Sequence, residues 1–434
     1  MKRMLSDIID VEAREFALYS IEERAIANLI DGFKPVQRLF VYSALKTAKN
    51  DFKKVAALGG VVSDYGYNHA EKAAQDAGVL ISNNWNNNMP ILQGRGNFGS
   101  RMVHDSAQSR YIFCKVHENF FKLYKDTNVA PVHKRPEFLP PAYYLPIIPT
   151  ILLNGVKGIA TGWATNILPH SVESVKACVN QVLLTGTCDE PTIQFPEFNG
   201  KIDTTGDKWF VEGLYEFTAK THMLITEIPM KYDRESYVAV LDKLEEDGEI
   251  VSYIDECGKH NFQFKVVLKR SIADKLNANH NAVIKMFKLK QGISQNLTAI
   301  DQNSKVKSYE KTSDLIIDFV KCRMPFTQKR IDAKILETKA DFLFAEAKVI
   351  FINKFIAGEF DSFKVMKKSQ CIDEINNCMG LEGYGDKLIA MNIFHMTEDE
   401  VIKLQKEAAG IRKEHEYWLK TTAQKQFIKD IKDL

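Results

Sequence analysis

No run of about eighteen consecutive apolar residues occurs in these 434 residues, so the sequence offers no helix able to cross a bilayer. The opening MKRMLSDIID has two basic residues but no apolar stretch of a signal peptide, and the chain is expected in the cytoplasm, away from membranes. Cysteine is sparse and odd in number, seven in all, with no C-x-x-C spacing and no Cys/His cluster. That excludes a disulfide framework and a structural zinc site, and fits reduced thiols. No G-x-x-x-x-G-K-[ST] run is present, so ATP is not expected to bind this chain through a P-loop. Nor is there a D-x-D acidic arrangement to hold a divalent cation, and no metal ligands are expected.

Charge of one sign is also scarce overall, at a formal +2. Its distribution is uneven. Between Arg24 and Lys125 stand 14 Lys and Arg against 7 Asp and Glu, a surplus of seven, which leaves the rest of the chain negative by five. A basic segment inside a near-neutral protein fits a localised phosphate-binding surface. With 45% apolar residues the chain is globular and long enough for two or three domains.

Within the basic segment lies Gln93–Tyr111, QGRGNFGSRMVHDSAQSRY. A tyrosine hydroxyl ionises near pH 10, so it attacks at neutral pH only where its developing oxyanion is stabilised or its proton removed. Arg110 beside Tyr111 supplies a permanent cation with a flat fork of donors that matches phosphate oxygens. The pair suits attack on a phosphodiester. The same stretch satisfies G-x-G-x-x-G, which raises a dinucleotide-binding oxidoreductase as a rival. Pro90 before it and the lack of an apolar helix stripe after Gly99 weigh against that reading. A second rival is a DNA-binding scaffold that performs no chemistry, to which Tyr111 would be dispensable.

In chain order, Ile8 to Ile21 has apolar residues on a helical period and predicts an amphipathic helix. Pro35 is placed as first residue of a helix through Thr47, where its missing N–H costs nothing. Lys34 and Arg38 fall within about one turn of each other. Helices over about Lys53–Asp64 and Glu71–Asn83, joined at Gly66, form a helix-turn-helix pattern. From about Ile193 to Tyr309 short β-rich runs alternate with short helices, an α+β insert. From Thr312 long helices are expected. Ile331, Ile335, Phe342, Ala345, Val349 and Ile356 make a heptad-like seam, with Pro325 kinking or beginning it. A glycine-bearing loop (Gly358, Gly380, Gly383, Gly385) precedes a last helix, opened by a Thr397/Glu400 capping box and running through Trp418.

Four ordered stretches carry a resemblance. Arg24–Arg38 (RAIANLIDGFKPVQR), Tyr67–Glu71 (YNHAE), Gln93–Ser100 with Ser109–Arg110–Tyr111, and Ile148–Gly162 continuing to Pro169–His170 are together similar to the cleavage core of type IIA DNA topoisomerases, the gyrase A family. The resemblance covers about the first 170 residues. It implies an α+β multidomain fold: an N-terminal arm (1–23), a winged-helix cleavage domain (24–140), a tower domain (141–310), and a coiled coil with a small dimerisation globule (311–434). It implies breakage and rejoining of double-stranded DNA within an ATP-dependent type II topoisomerase, through a transient 5′-phosphotyrosyl link at Tyr111.

The resemblance also assigns roles. Arg110, Arg24 and His69 would act at the scissile phosphate, while Lys34, Arg38 and Arg95 would bind the DNA; Lys72 departs from the serine of the bacterial enzymes and is expected to add a phosphate contact. Ile148 would wedge between base pairs. The partners implied are DNA, a second copy of this chain meeting it through the C-terminal globule, and a large subunit that binds ATP and most of the Mg²⁺. Asn68, Ala70 and Ala27 depart from the residues usual in the family's motifs.

Overall fold

The computed structural model describes residues 8–205, 208–391 and 398–434, apart from the side chains of Glu398 and Glu400. The expected Thr397/Glu400 capping box therefore lies outside the described residues. Two compact units are present, one running up to Arg323 and including Asp430–Leu434, the other Met324–Lys429. Among the described residues no helix is long and apolar enough to cross a membrane.

The first unit begins with a helical arm in which Arg14–Ser20 is α-helical between two wider π-type turns, Ile8–Ala13 and Ile21–Ala25. The predicted helix exists, and among the described residues its apolar face stays uncovered. Ile8, Ile9, Val11, Phe16 and Leu18 are 39–61% exposed. Pro35 does open a helix ending at Thr47, and the free N–H of Lys34 is taken by the Gln37 Oε1 at 2.9 Å. The next pair is Val55–Gly60, extended by a tight turn Val61–Tyr65, and Glu71–Ser82. Gly66 separates them at φ +101°, a conformation that favours glycine. The Pro35 and Glu71 helices approach closely at Gly78, where a Cβ would lie 2.2 Å from the Phe40 ring.

Against these helices lies a three-stranded antiparallel sheet in the order β1-β3-β2: β1 Lys53–Lys54, β2 Leu92–Arg95, β3 Phe113–Val116. A hairpin follows, β4 Val156–Ala160 with β5 Trp163–Ile167. The expected α+β insert contains β6 Lys201–Thr205, β7 Lys208–Glu212, β8 Leu214–Ala219, β9 His222–Glu227, β10 Ile250–Asp255, β11 Phe264–Leu268 and β12 Lys290–Ser294. They form a four-stranded sheet β10-β11-β9-β8 and a three-stranded sheet β12-β7-β6. Phe264, Val266 and Leu268 alternate inward along β11 and pack with Ile225, Tyr237, Leu241 and Phe287. A last hairpin, β13 Leu297–Ile300 with β14 Val306–Tyr309, returns to the N-terminal segment. There Leu29 and Ile300 exchange backbone bonds with Ile300 and Ala27, at 2.8 and 2.9 Å.

The chain passes into the second unit within one 45-residue helix, Thr312–Ile356. Pro325 lies inside that helix rather than at its start. The helix begins instead where the Glu190 carboxylate accepts the Thr312 and Ser313 N–H groups at 3.0 and 3.1 Å, an anion at a helix N-terminus. In the second unit Ile331 and Ala345 of the expected seam are buried, whereas Ile356 is 43% exposed. A polar contact adds to the apolar seam, Thr338 Oγ1 to His415 Nδ1 at 2.9 Å, joining the first helix to the returning helix Glu398–Lys420. Beyond them Phe351, Ile352, Phe360, Ile375, Leu381 and Leu388 close a small core. A further helix, Ala423–Lys432, goes beyond the elements expected from the sequence pattern.

Candidate functional site

Tyr111 lies two residues before β3, in a turn closed by its own N–H donating to the Gln108 carbonyl at 2.8 Å. The neighbouring backbone is tied down on both sides. The Val55 and Ala56 N–H groups donate to the carbonyls of Ile112 and Ser109 at 3.0 and 3.1 Å, and Ser109 Oγ donates to Gln75 Oε1 at 2.6 Å. Ile112 is 1% exposed while Tyr111 is 69% exposed. Here a fixed backbone projects a phenol outward.

Cations ring this edge. The Arg110 guanidinium stands 6.0 Å from the Tyr111 ring centroid. Arg95 rests between Phe52 and Phe113, at 4.6 and 4.8 Å from their centroids, opposite Phe113 in the β2–β3 register. Stacking of this kind holds a guanidinium in place without neutralising it. Lys53 and Lys54 form the exposed strand β1 beside them. Among the described residues no ion pair engages Lys53, Lys54, Arg95 or Arg110.

A second group gathers about the arm and the β4–β5 hairpin. Lys34 is half-buried, its Nζ donates to the Lys157 carbonyl at 2.8 Å, and burial lowers its pKa. Gly158 permits this approach, since a Cβ there would stand 1.9 Å from the Ala25 carbonyl oxygen and 3.4 Å from Lys34 Nζ. Arg24 is exposed at the end of the arm. His69 has its pKa lowered by burial first and then by the charge of Arg24, and its Nε2 meets the Tyr19 hydroxyl at 2.5 Å. Arg24, Lys34, His69 and the hairpin are thus neighbours. Among the described residues no hydrogen bond or ion pair joins them to Tyr111.

Two expected contacts are overturned. Arg38 is 4% exposed, and its Nε and Nη2 donate to the Asp31 carboxylate at 2.7 and 3.0 Å. Asp31, fully buried, also accepts the backbone N–H groups of Phe33 and Tyr144. Burial alone would lower the Arg38 pKa, and the Asp31 charge and hydrogen bonds more than reverse it. Its donors are spent inside the protein, so Arg38 orders the loop rather than touching phosphate. Ile148 is 0% exposed and fills the core, so it cannot wedge between bases as it stands. The same segment does offer an exposed isoleucine, Ile159 on the hairpin, at 79%. The signal was present in the sequence, because a strand flanked by Gly155 and Gly162 and centred on Gly158 turns its smallest residue inward.

Lys72 is exposed on the Glu71–Ser82 helix and pairs with Asp76 one turn on. The GRGNFG segment leaves β2 as a loop, not a helix. Gly96 and Gly99 adopt φ +113° and +81°, and a Cβ at Gly94 would press on the Phe98 ring at 2.7 Å. The loop's own folding accounts for those glycines, so no dinucleotide cradle is formed. The loop is anchored instead by Arg101, 3% exposed, which donates to Glu227 Oε1 and to the carbonyls of Ile228 and Tyr232. A cavity of about 480 Å³ lined by Phe33, Trp85, Asn154, Ile167 and Met230 lies apart from Tyr111, Arg110, Arg24 and His69, none of which borders it.

The sequence pattern that describes the A subunits of DNA gyrase and topoisomerase IV matches residues 24–433. The DNA topoisomerase medium subunit of Enterobacteria phage T4 is 48% identical over 438 aligned residues, covering 100% of this chain and 99% of that protein. DNA topoisomerase 2 of Bombyx mori is 30% identical over 366 residues, covering 80% of this chain but 23% of that enzyme. The fold is similar to the crystal structure of the Plasmodium falciparum topoisomerase II DNA-binding, cleavage and re-ligation domain, with a TM-score of 0.86 at 24% identity over 98% of this chain and 63% of that one. With that pattern spanning nearly its whole length, the chain belongs to the DNA gyrase/topoisomerase IV A-subunit family.

Proposed function

We propose that Tyr111 is the nucleophile through which this chain, a DNA-cleaving and re-ligating subunit of a type II topoisomerase, opens a duplex. The phenolic oxygen bonds to phosphorus while the bond from phosphorus to the 3′ oxygen breaks. The phenol loses its proton, the 3′ oxygen gains one, and the strand's 5′ phosphate stays on Tyr111. Two copies cut the two strands at a stagger, and reversal of the step reseals them. The observation that carries this reading is the 69% exposed phenol on a pinned backbone beside four exposed cations.

Arg110 meets the oxygens of the transferring phosphate, where fixed positive charge counters the charge that builds there, while Arg95 binds the DNA backbone beside it. Arg24, Lys34 and His69 act on the same phosphate once it is in place, with Lys72 contacting the backbone further along. Ile159 replaces Ile148 as the apolar wedge, in the manner of side chains that unstack one base step so that a bent duplex wraps more protein. The helix-turn-helix beside β1-β3-β2 is read as a winged-helix domain, the β6–β12 region as the tower, and the second unit as a coiled coil whose globule pairs two copies.

The family uses Mg²⁺ and ATP in its holoenzymes. Among the described residues no three His, Cys, Asp or Glu side chains gather as a cation site. Among the described residues the chain's own donors therefore do not fit the metal. Metal and ATP are assigned to a large partner subunit.

The experiment is to mix the chain with that subunit, Mg²⁺ and end-labelled DNA, stop with detergent, and map the modified residue. A 5′ adduct on Tyr111 that is lost in Tyr111→Phe is expected. An adduct on another residue, or a Tyr111→Phe chain that still cleaves, would refute the assignment and favour the non-catalytic scaffold.

A further inference from the structure

His69 is held in a polar setting against the helical arm. Its Nε2 lies 2.5 Å from the hydroxyl of Tyr19, fifty residues earlier on the helical arm. The Tyr19 and Tyr67 rings flank the imidazole at centroid distances of 5.8 and 5.3 Å, tilted by 57° and 76°. Arg24 stands close enough to depress its protonation, after burial, against an opposing Glu23. A neutral imidazole has one donor nitrogen and one acceptor nitrogen, and the bond made at one of them decides which is which. The Tyr19–His69 contact is a hydrogen bond whose direction the tautomer sets.

We propose that Tyr19 is the positioning residue for His69. Its hydroxyl donates to Nε2, fixes the neutral Nδ1–H tautomer, and leaves Nδ1–H as the ring's single remaining donor for a phosphate oxygen. This rests on the reading that His69 acts at the scissile phosphate. It also makes the arm part of the site. Tyr19 sits between Leu18 and Ser20 on a helix whose Ile9, Val11, Phe16 and Leu18 are uncovered.

Tyr19→Phe keeps the ring and removes only the donor. In the full chain with ¹⁵N-labelled histidine, the His69 resonances, identified by their loss in His69→Gln, are expected to move away from the Nδ1–H tautomer pattern. In the holoenzyme, Tyr19→Phe is expected to slow covalent-complex formation by about tenfold, the upper worth of one such hydrogen bond, with DNA affinity unchanged. Tyr19→Phe combined with His69→Ala should be no slower than His69→Ala alone. An unchanged tautomer overturns the proposal, and so does an additive loss in the double variant. A His69→Ala chain that cleaves like the parent overturns it too, while leaving Tyr111 as nucleophile; retention of cleavage by Tyr111→Phe would instead sink the function itself.

Discussion

Replacing Arg38 by Gln separates a residue that builds the site from one that touches DNA. In the structure the guanidinium gives two bonds to Asp31 and a longer one, 3.4 Å, to the Phe33 carbonyl. The side chains of Arg38 and Asp31 are 5% and 0% exposed. With the cation gone, Asp31 keeps only the N–H groups of Phe33 and Tyr144, and its charge remains in an interior that cannot solvate it. Removing one partner of a buried pair costs about 3–5 kcal/mol, most of it the uncompensated charge. The double variant Asp31→Asn/Arg38→Gln should recover much of that loss, because no lone charge is left inside. Urea denaturation of the three chains measures both numbers. A phosphate contact behaves differently, lowering the slope of log K against log salt by about 0.9 while leaving stability within about 0.5 kcal/mol. If Arg38→Gln kept the parent's stability and reduced the salt slope in that way, the buried-pair argument would be refuted.

Three further outcomes follow from the same geometry. Ile148→Ala should lose about 2–5 kcal/mol of stability by opening a core cavity, whereas Ile159→Ala should leave stability within about 0.5 kcal/mol and reduce DNA bending, read by fluorescence transfer between duplex ends. Gly158→Ala places a Cβ 1.9 Å from a backbone oxygen that no rotamer can move, so the hairpin must shift. Cleavage should fall at least tenfold, about 1.4 kcal/mol, while circular dichroism stays that of the parent; parental cleavage would contradict the close approach of hairpin and arm. His170 is 1% exposed and burial drives its pKa down to about 4 from an ordinary 6.5. The folded state thus prefers the neutral ring, so its contribution is complete above pH 6.5 and is lost as pH falls toward 4, by roughly 3 kcal/mol in all. Urea midpoints at pH 7.5 and 5 should converge in His170→Gln if this group carries the dependence.

Much of the first unit was readable from local chemistry. Pro35 starts a helix because it has no N–H to waste, and Gly66 ends one because only glycine is at ease at φ +101°. Tyr111 and Arg110 stand out in the sequence by their chemistry, and the structure leaves both exposed. What local chemistry could not show was whether Arg38 or Ile148 faces water. Arg38 reads as a surface cation until Asp31 is folded back beneath it and Tyr144, 113 residues from Asp31, closes the far side. Ile148 and Ile159 lie in one apolar, glycine-punctuated segment, and composition alone puts both inside. The arm is legible as an amphipathic surface helix, and its apolar side chains stay exposed among the described residues.

The two cationic groups differ in a way that bears on their order of action. Arg95, Arg110, Lys53 and Lys54 surround Tyr111 without an ion-pair partner among the described residues, so a phosphate reaching them displaces only water and counterions. Binding at that edge should be fast and strongly salt-dependent. Lys34 and His69 are committed already, one to the Lys157 carbonyl and the other to Tyr19. Their geometry is set before any ligand arrives, which favours an interaction strong only when the phosphate is correctly placed. The open edge therefore suits capture of the duplex, and the tied group suits discrimination between a bound strand and a reacting one. If that division holds, Arg95→Ala should raise the apparent Kd with little change in the cleavage rate at saturating DNA, and Lys34→Met should lower that rate with little change in Kd. The reverse pattern would mean that the preset group binds and the open edge reacts.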